Sequence, residues 1–450
     1  MTPEKTEILH VTPHLGGGVG RVLLNYIGVA LAKGQRHSLM CLDYANPWAK
    51  SKALENNITL RDNMFWKRKE LREAVKKADI LAVHWWNHPL LYSWLASENL
   101  PETRALVWSH VSGFHSPQII TREILFWPDV FAVSNPISFN APAVAELSHA
   151  EKERRLRLIF SSGGLSHVEN YAVKEHSDFR VGYLGTVDYA KMHPGFLEMS
   201  LASAGEDTVF AVAGGPSHEA LRREAEELGA GDKFEILGPI ENVGEFLSTL
   251  DVFGYPLIRE HYGTGEQVLI EAMAVGVPPV VLGRGSEELV VENGVTGLVA
   301  EDPEDYALCV RRLKDDPELR STLSRTAREK ARKRFAIENT VTAFDSVYAE
   351  LMERPKKRRS LKGKGVSSGM DRVFLLSQGP DAARVYQKLE KAELSGSPSP
   401  DVGVLTSISW AETKGSVYHY ASFFPENSRL KKLSELMTAV NPLKGGRYSN

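Results

Sequence analysis

The chain has 450 residues, 42% hydrophobic and 25% charged, with a formal net charge of −3. That length can bury two cores and a small third unit, and so weak a charge gives no support to nucleic acid as a partner. No apolar run approaches the roughly 18 residues that span a bilayer, the opening MTPEKTEILHV lacks the apolar core of a signal peptide, and Cys41 and Cys309 sit far apart among apolar neighbours, so the expectation is a cytoplasmic protein whose two cysteines are packed thiols.

Short apolar runs alternate with helical patterns along the chain, the signature of parallel sheets with crossover helices. A first series places strands at 8–11, 38–42, 80–84, 105–108 and 130–133, with a helix at 21–32. Gly16-Gly17-Gly18-Val19-Gly20 lies between the first strand and that helix. It tests a dinucleotide fingerprint and fits poorly, because Arg21 stands where the third glycine is required, although Asp43 is placed for a ribose hydroxyl. Three consecutive glycines cost chain entropy that an ordinary turn need not spend, which points to close approach of a ligand. His84 and His88 in HWWNH have metal-ligand spacing, but a strand end followed by Pro89 would not hold them on one face, and no metal site is expected. His110, in SHVSGFH, follows the strand at 105–108 at its carboxyl end, the edge where ligands bind in open α/β sheets.

A second series of strands runs through 180–184, 209–213, 234–237, 252–255, 279–282 and 297–299. Lys191 closes the segment GYLGTVDYAK after the first of these. Ala213-Gly-Gly-Pro216 and Gly238-Pro-Ile240 end the next two, with a helix at 219–228 between them. After the strand at 252–255 and Pro256, a polar loop from Arg259 to Gly265 turns on glycines, and a helix runs from about Glu266 until Gly276 stops it. The opening amides of that helix lack carbonyl partners and face whatever precedes them, so a phosphate is favoured there. Glu271 shares the helix's apolar stripe with Val268, Leu269, Ala272 and Met273, and a buried acid needs a hydroxyl or a cation to meet. A helix at 335–351 follows. Then 354–364, RPKKRRSLKGK, carries seven cations in eleven residues and reads as a flexible basic linker able to attract an anionic membrane. In the last eighty residues 373–376 reads as a strand and 382–394 as an amphipathic helix, with no recognisable motif.

The loop and helix around Glu271 resemble the donor-binding motif of retaining family-4 glycosyltransferases, which have the GT-B fold. The resemblance runs from about Ile8 to Leu351. It implies two doubly wound Rossmann-like domains facing a cleft, an acceptor-side domain at 1–175 and a nucleotide-sugar domain at 176–335, with a crossover helix at 336–353; beyond it composition sets a basic linker at 354–369 and a C-terminal extension at 370–450. It implies sugar transfer, with retention and without a metal or other cofactor, from a nucleotide-diphosphate sugar to a glycan or lipid-linked acceptor. In the family two glutamates stand eight positions apart, one on the transferred sugar and one on the ribose. Glu271 matches the second, whereas the first falls on Gly263; Glu266, helped by Thr264 and the amides around Gly263 and Gly265, is the expected replacement, with Glu260 the other nearby acid. A family arginine and lysine grip the diphosphate: Lys191 matches the lysine and Thr186 stands at the arginine, leaving Arg259, Arg284 or His193 to supply the charge. Gly16, Gly17 and Gly18 match the N-terminal loop, His110 a sugar-contacting histidine, and Ile240 the base pocket. A nucleotide-sugar epimerase, or a binder that has lost activity, are the other readings.

Overall fold

The computed structural model describes residues 6–96, 100–189, 191–259, 261–264, 266–283, 285–361, 369–398 and 414–440. Glu260, Gly265 and Arg284 of the expected site lie outside them, as do residues 362–368 of the basic stretch. Two compact units emerge: Met1–Gly163 with Thr340–Asn450, and Gly164–Asn339.

In the first unit seven strands form one sheet: β1 (Glu7–Thr12), β2 (Arg36–Cys41), β3 (Thr59–Arg61), β4 (Ile80–Trp85), β5 (Arg104–Ser109), β6 (Val130–Val133) and β7 (Leu156–Leu158). Their order is β3-β2-β1-β4-β5-β6-β7, parallel throughout. β4 and β6 are buried at every residue, as strands covered on both faces must be. The edge strands β3 and β7, Thr-Leu-Arg and Leu-Arg-Leu, escaped the sequence reading because neither is a continuous apolar run. In the second unit β8 (Phe179–Val187), β9 (Thr208–Pro216), β10 (Phe234–Gly238), β11 (Val252–Tyr255), β12 (Pro279–Leu282) and β13 (Leu298–Ala300) run parallel in the order β10-β9-β8-β11-β12-β13. Both sheets are thus doubly wound, as expected, and each order reverses direction beside its first strand, at β1/β4 and at β8/β11. Loops leaving those strands at their carboxyl ends are where such sheets hold ligands.

Three expectations need correction. The first helix begins at Gly17, not at 21, because Gly17 adopts φ +65 and lets the chain turn directly into it. Residues 373–376 form no strand; they lie in the helix Met370–Ser377, since four apolar residues fit either period. The basic stretch is no free tether over 354–361. It packs along the first unit, exchanging backbone hydrogen bonds with Thr103 through Lys357 (3.0 and 3.1 Å) and burying Leu361. The helix Ile337–Met352 also packs within this unit, with Tyr348 bonded to Tyr26 (3.3 Å) and Phe344 stacked on the same ring.

Candidate active site

In the second unit the loops after β8 and β11 are stitched together at the carboxyl edge. Met192 bridges Leu257, Ile258 N–H donates to Lys191 O (2.9 Å), and His193 N–H donates to Pro256 O (3.0 Å). This holds Lys191 against the glycine loop, with its Nζ 3.0 Å from Glu266 Oε2. Tyr255, the last residue of β11, donates to the same oxygen at 2.6 Å. Among the described residues Glu266 Oε1 accepts no hydrogen bond, although its side chain is only 1% exposed. His261 Nδ1 stands 3.9 Å from that oxygen, and its Nε2 lies 2.7 Å from Glu287 Oε1. Burial alone would drive the Glu266 carboxyl up, but Lys191 and His261 hold it below its ordinary range. Burial works against the charged forms of Lys191 and His261 too, yet Glu266 raises the first and Glu287 the second. The pocket thus sets two carboxylates, Glu266 and Glu287, against Lys191 and His261.

Two features bear on the glutamate expected at 263. Glu266, the N-cap of the helix Gln267–Val275, has φ 33 and ψ 51, a left-handed conformation that is costly for a residue with a Cβ. That conformation turns its carboxylate away from the helix amides, which receive no side-chain cap from it, and back over Gly263. A Cβ at Gly263 would lie 2.2 Å from Glu266 Oε1. The Glu266 carboxylate thus fills the space into which a side chain at 263 would begin.

Glu271 faces inward, 1% exposed, and meets His167 Nε2 at 2.8 Å and Gln267 Nε2 at 3.2 Å through Oε1. The helix ends as expected, Gly276 taking φ 97 and its amide reaching back to Ala272 and Met273. Thr264 is buried. Thr186 lies near the end of β8, where its carbonyl accepts from Tyr183 (2.7 Å), and Ile240 follows β10 at the same edge. The sequence reading missed His167, His261, Glu287 and the role of Tyr255. Each is an ordinary polar residue whose importance rests on a fold partner distant in sequence or hidden across a turn. His261, Glu266 and Glu287 each bring a potential ligand atom within 4.8 Å of the others, the spacing of a cation site. Lys191 and His261 stand against the same carboxylates, at 3.0 Å from Glu266 Oε2 and 2.7 Å from Glu287 Oε1.

In the first unit Gly16 caps the opening helix, Gly17 needs its positive φ, and a Cβ on Gly17 or Gly18 would meet nothing within 4 Å. Packing within the chain therefore does not demand glycine at 18. His110 does follow β5, and it ends a file of four imidazoles. Ile8 pairs with His37, Ala82 with His10, and Trp108 with His84, so each next histidine stands two residues beyond its neighbour's partner. A step of two keeps them on one face of the sheet. The contacts are His37 Nδ1 to His10 Nε2 (2.8 Å), His10 Nδ1 to His84 Nε2 (2.9 Å) and His84 Nδ1 to His110 Nε2 (3.1 Å). At the far end His37 Nε2 meets Gln35 Oε1 (2.9 Å), and Gln35 Nε2 donates to Asp345 Oδ1 (2.7 Å). Burial holds His37 and His110 down to about 3 and His10 and His84 well below their ordinary value, so all four are neutral. The tautomers follow. A carboxylate only accepts, so the Gln35 amide nitrogen faces Asp345 and its oxygen takes the His37 Nε2 proton. His37 Nδ1 must then accept from His10, His10 from His84, and His84 from His110. The Nδ1 lone pair of His110 is left buried and without a partner.

A separate cavity of about 870 Å³ in the first unit, between the loop holding Ile119 and the helices that carry Leu375 and Ala383, contains none of these residues. No described helix is long and apolar enough to cross a membrane.

Comparison with known proteins agrees with the fold. Residues 170–330 match the family described as Glycosyl transferases group 1. A D-inositol 3-phosphate glycosyltransferase of Saccharomonospora viridis is 35% identical over 154 residues, 32% of this chain and 35% of that protein. An N-acetyl-alpha-D-glucosaminyl L-malate synthase of Bacillus anthracis is 29% identical over 147 residues, 32% of this chain and 38% of that protein. The chain thus spans about a third of the length of the curated relatives it matches. Among solved structures, Anabaena HepE in complex with UDP and glucose superposes with a TM-score of 0.61 at 14% identity, over 76% of this chain and all of that one. WaaG, a glycosyltransferase involved in lipopolysaccharide biosynthesis, gives 0.56 at 13% identity, over 76% of this chain and 99% of that one.

Proposed function

On the premise that residues 170–330 are a Glycosyl transferases group 1 domain within a GT-B fold, we propose that the chain transfers a sugar, with retention and without a metal, from a nucleotide-diphosphate sugar to a hydroxyl acceptor such as a glycan or lipid-linked saccharide. The observation that carries the reading is Glu266: a buried, ionised carboxylate in a strained conformation, one oxygen unpartnered, beside the Lys191 ammonium. Strain of this kind persists where surrounding structure holds it for a purpose. In this reading Glu266 Oε1 accepts from a hydroxyl of the transferred sugar, and Lys191 with the opening amides of the helix Gln267–Val275 stabilises the departing diphosphate. Glu271, oriented by His167, receives the ribose hydroxyls, and Ile240 lies against the base. The anomeric carbon–phosphate oxygen bond breaks as the acceptor oxygen bonds to that carbon, and the acceptor proton passes to the leaving diphosphate. Gly16, Gly17 and Gly18 let the backbone approach the donor phosphate and the acceptor, and His110 contacts the donor sugar or the acceptor.

Calorimetric titration with uridine and guanosine diphosphates tests the site. Lys191→Ala and Glu271→Ala each remove a charge-assisted contact, so each is expected to weaken binding about tenfold to a hundredfold. Unchanged affinity in both variants would remove the site. Product analysis with and without added saccharide acceptors then separates transfer from epimerisation, which needs no acceptor.

A further inference from the structure

The basic stretch docks at the amino-terminal edge of the first sheet, opposite the edge that carries His110. Lys356 Nζ donates to Ala78 O (2.8 Å), just ahead of β4, and Arg359 Nη1 to Trp127 O (2.9 Å), ahead of β6. Arg354, Lys357 and Arg359 thereby meet Arg154 and Arg155, the last residues of the helix His149–Arg155, around a cavity of about 260 Å³. Asp129 is the carboxylate lining it, with Phe126 and Pro128 completing the wall.

The charges there do not balance. Asp129 pairs with Arg359 and stands 3.7 Å from Lys357. Arg354 pairs with Glu350, which is shared with Arg157. Among the described residues Arg154 and Arg155 have no carboxylate at ion-pair distance. Cations at a helix C-terminus complement its dipole, but that dipole amounts to about half a charge, and five cations exceed it. Two of the guanidiniums are also held in place. The Arg155 guanidinium lies 4.5 Å over Phe126 and that of Arg359 lies 5.9 Å over Trp127. Arg359 is 7% exposed, and its Nε and that of Arg155 are buried donors with no acceptor. Guanidinium forks held in this way match phosphate oxygens. The volume falls below the roughly 300 Å³ at which drug-sized pockets begin, which suits a phosphoryl group and not a whole nucleotide sugar.

We propose that this cavity, built by Arg154, Arg155, Arg354, Lys357 and Arg359, is a phosphate-binding site on the sheet edge opposite His110. The phosphate belongs to a free phosphorylated molecule or to a lipid headgroup. The inference rests on the first unit alone and does not depend on the proposed transfer. The full chain, titrated with inorganic phosphate at an ionic strength held constant with sodium chloride, is expected to bind it. The double variant Arg155→Gln/Lys357→Gln, which retains the Arg359–Asp129 pair, should bind at least about tenfold more weakly. No phosphate binding by the wild type, or equal affinity in the variant, overturns the site. If the variant melts early in phosphate-free buffer, protection of wild-type Arg154 and Arg155 from phenylglyoxal by phosphate, read by peptide mass spectrometry, makes the same test, and absence of protection overturns it. Co-sedimentation with phosphatidylglycerol but not phosphatidylcholine vesicles, lost in the variant, assigns the phosphate to a headgroup. Phosphate binding without co-sedimentation assigns it to a free ligand.

Discussion

Gly263 is glycine for a reason outside its own backbone, whose φ is not in the left-handed region. A Cβ there would stand 2.2 Å from Glu266 Oε1 and 3.1 Å from His261 Nδ1, so Gly263→Ala is expected to push the Glu266 carboxylate off Lys191 and Tyr255. A displacement of about 1 Å in a catalytic group can cost roughly a hundredfold in rate. The variant should therefore lose sugar transfer on that scale, while near-neutral melting shows that the loop still folds. Transfer at the wild-type rate would mean that Glu266 does not have to sit where it does. The departure at 263 was visible in the sequence, and so was the nearest acid that could replace it. What the sequence concealed was the left-handed turn at Glu266 that swings the carboxylate back three positions, because nothing in HYGTGEQ requires a glutamate to adopt it.

At the scale of elements the imidazole file crosses β2, β1, β4 and β5, and its state is set by Asp345 on the helix Ile337–Met352. The apolar runs that make these strands were legible, yet the file was not: it depends on parallel register, and spacing along one strand carries no register information. Its pH dependence can be worked out. Each histidine has a folded value below the ordinary 6.5, so the unfolded chain binds more protons than the folded one below that pH. The stability the file contributes is complete above 6.5 and is lost progressively as pH falls below it. All eight tryptophans fall in the sequence of the first unit, so denaturation followed by their fluorescence reads this unit. Its midpoint should drop steeply between pH 6.5 and 5, and a flat profile would show that the imidazoles are not held neutral. Asp345→Asn frees the Gln35 amide to turn either way. Nitrogen chemical shifts of His110 should then change from a single Nε2–H tautomer to a mixture, and an unchanged tautomer would place its control elsewhere.

For the whole molecule, the two doubly wound sheets were legible because buried parallel strands are long apolar runs punctuated by glycine, whereas the last eighty residues carried no signal of where they belong. Their place shows in the helix Pro89–Ala96, buried at all eight positions. A helix apolar on every side must be covered on every side. Beside this helix, Asn87 donates to Ser377 Oγ (3.1 Å) and accepts from Tyr420 (3.0 Å), both from the extension. Phe374 packs against both Tyr386 and Tyr420, and all three are fully buried. The extension is thus part of the core of the first unit. Large apolar side chains contribute about 1.5–3 kcal/mol each on burial, and the Asn87 amide oxygen, without Tyr420, would cost about 1–3 kcal/mol more while it stays buried. A chain ending at Leu361 should therefore melt many degrees below the full protein in tryptophan fluorescence, or aggregate through the uncovered helix. A phosphate-free buffer keeps the basic cavity from influencing that comparison. If the shortened chain melts with the full one, the helix Pro89–Ala96 finds its cover elsewhere and the extension is an appendage to the first unit.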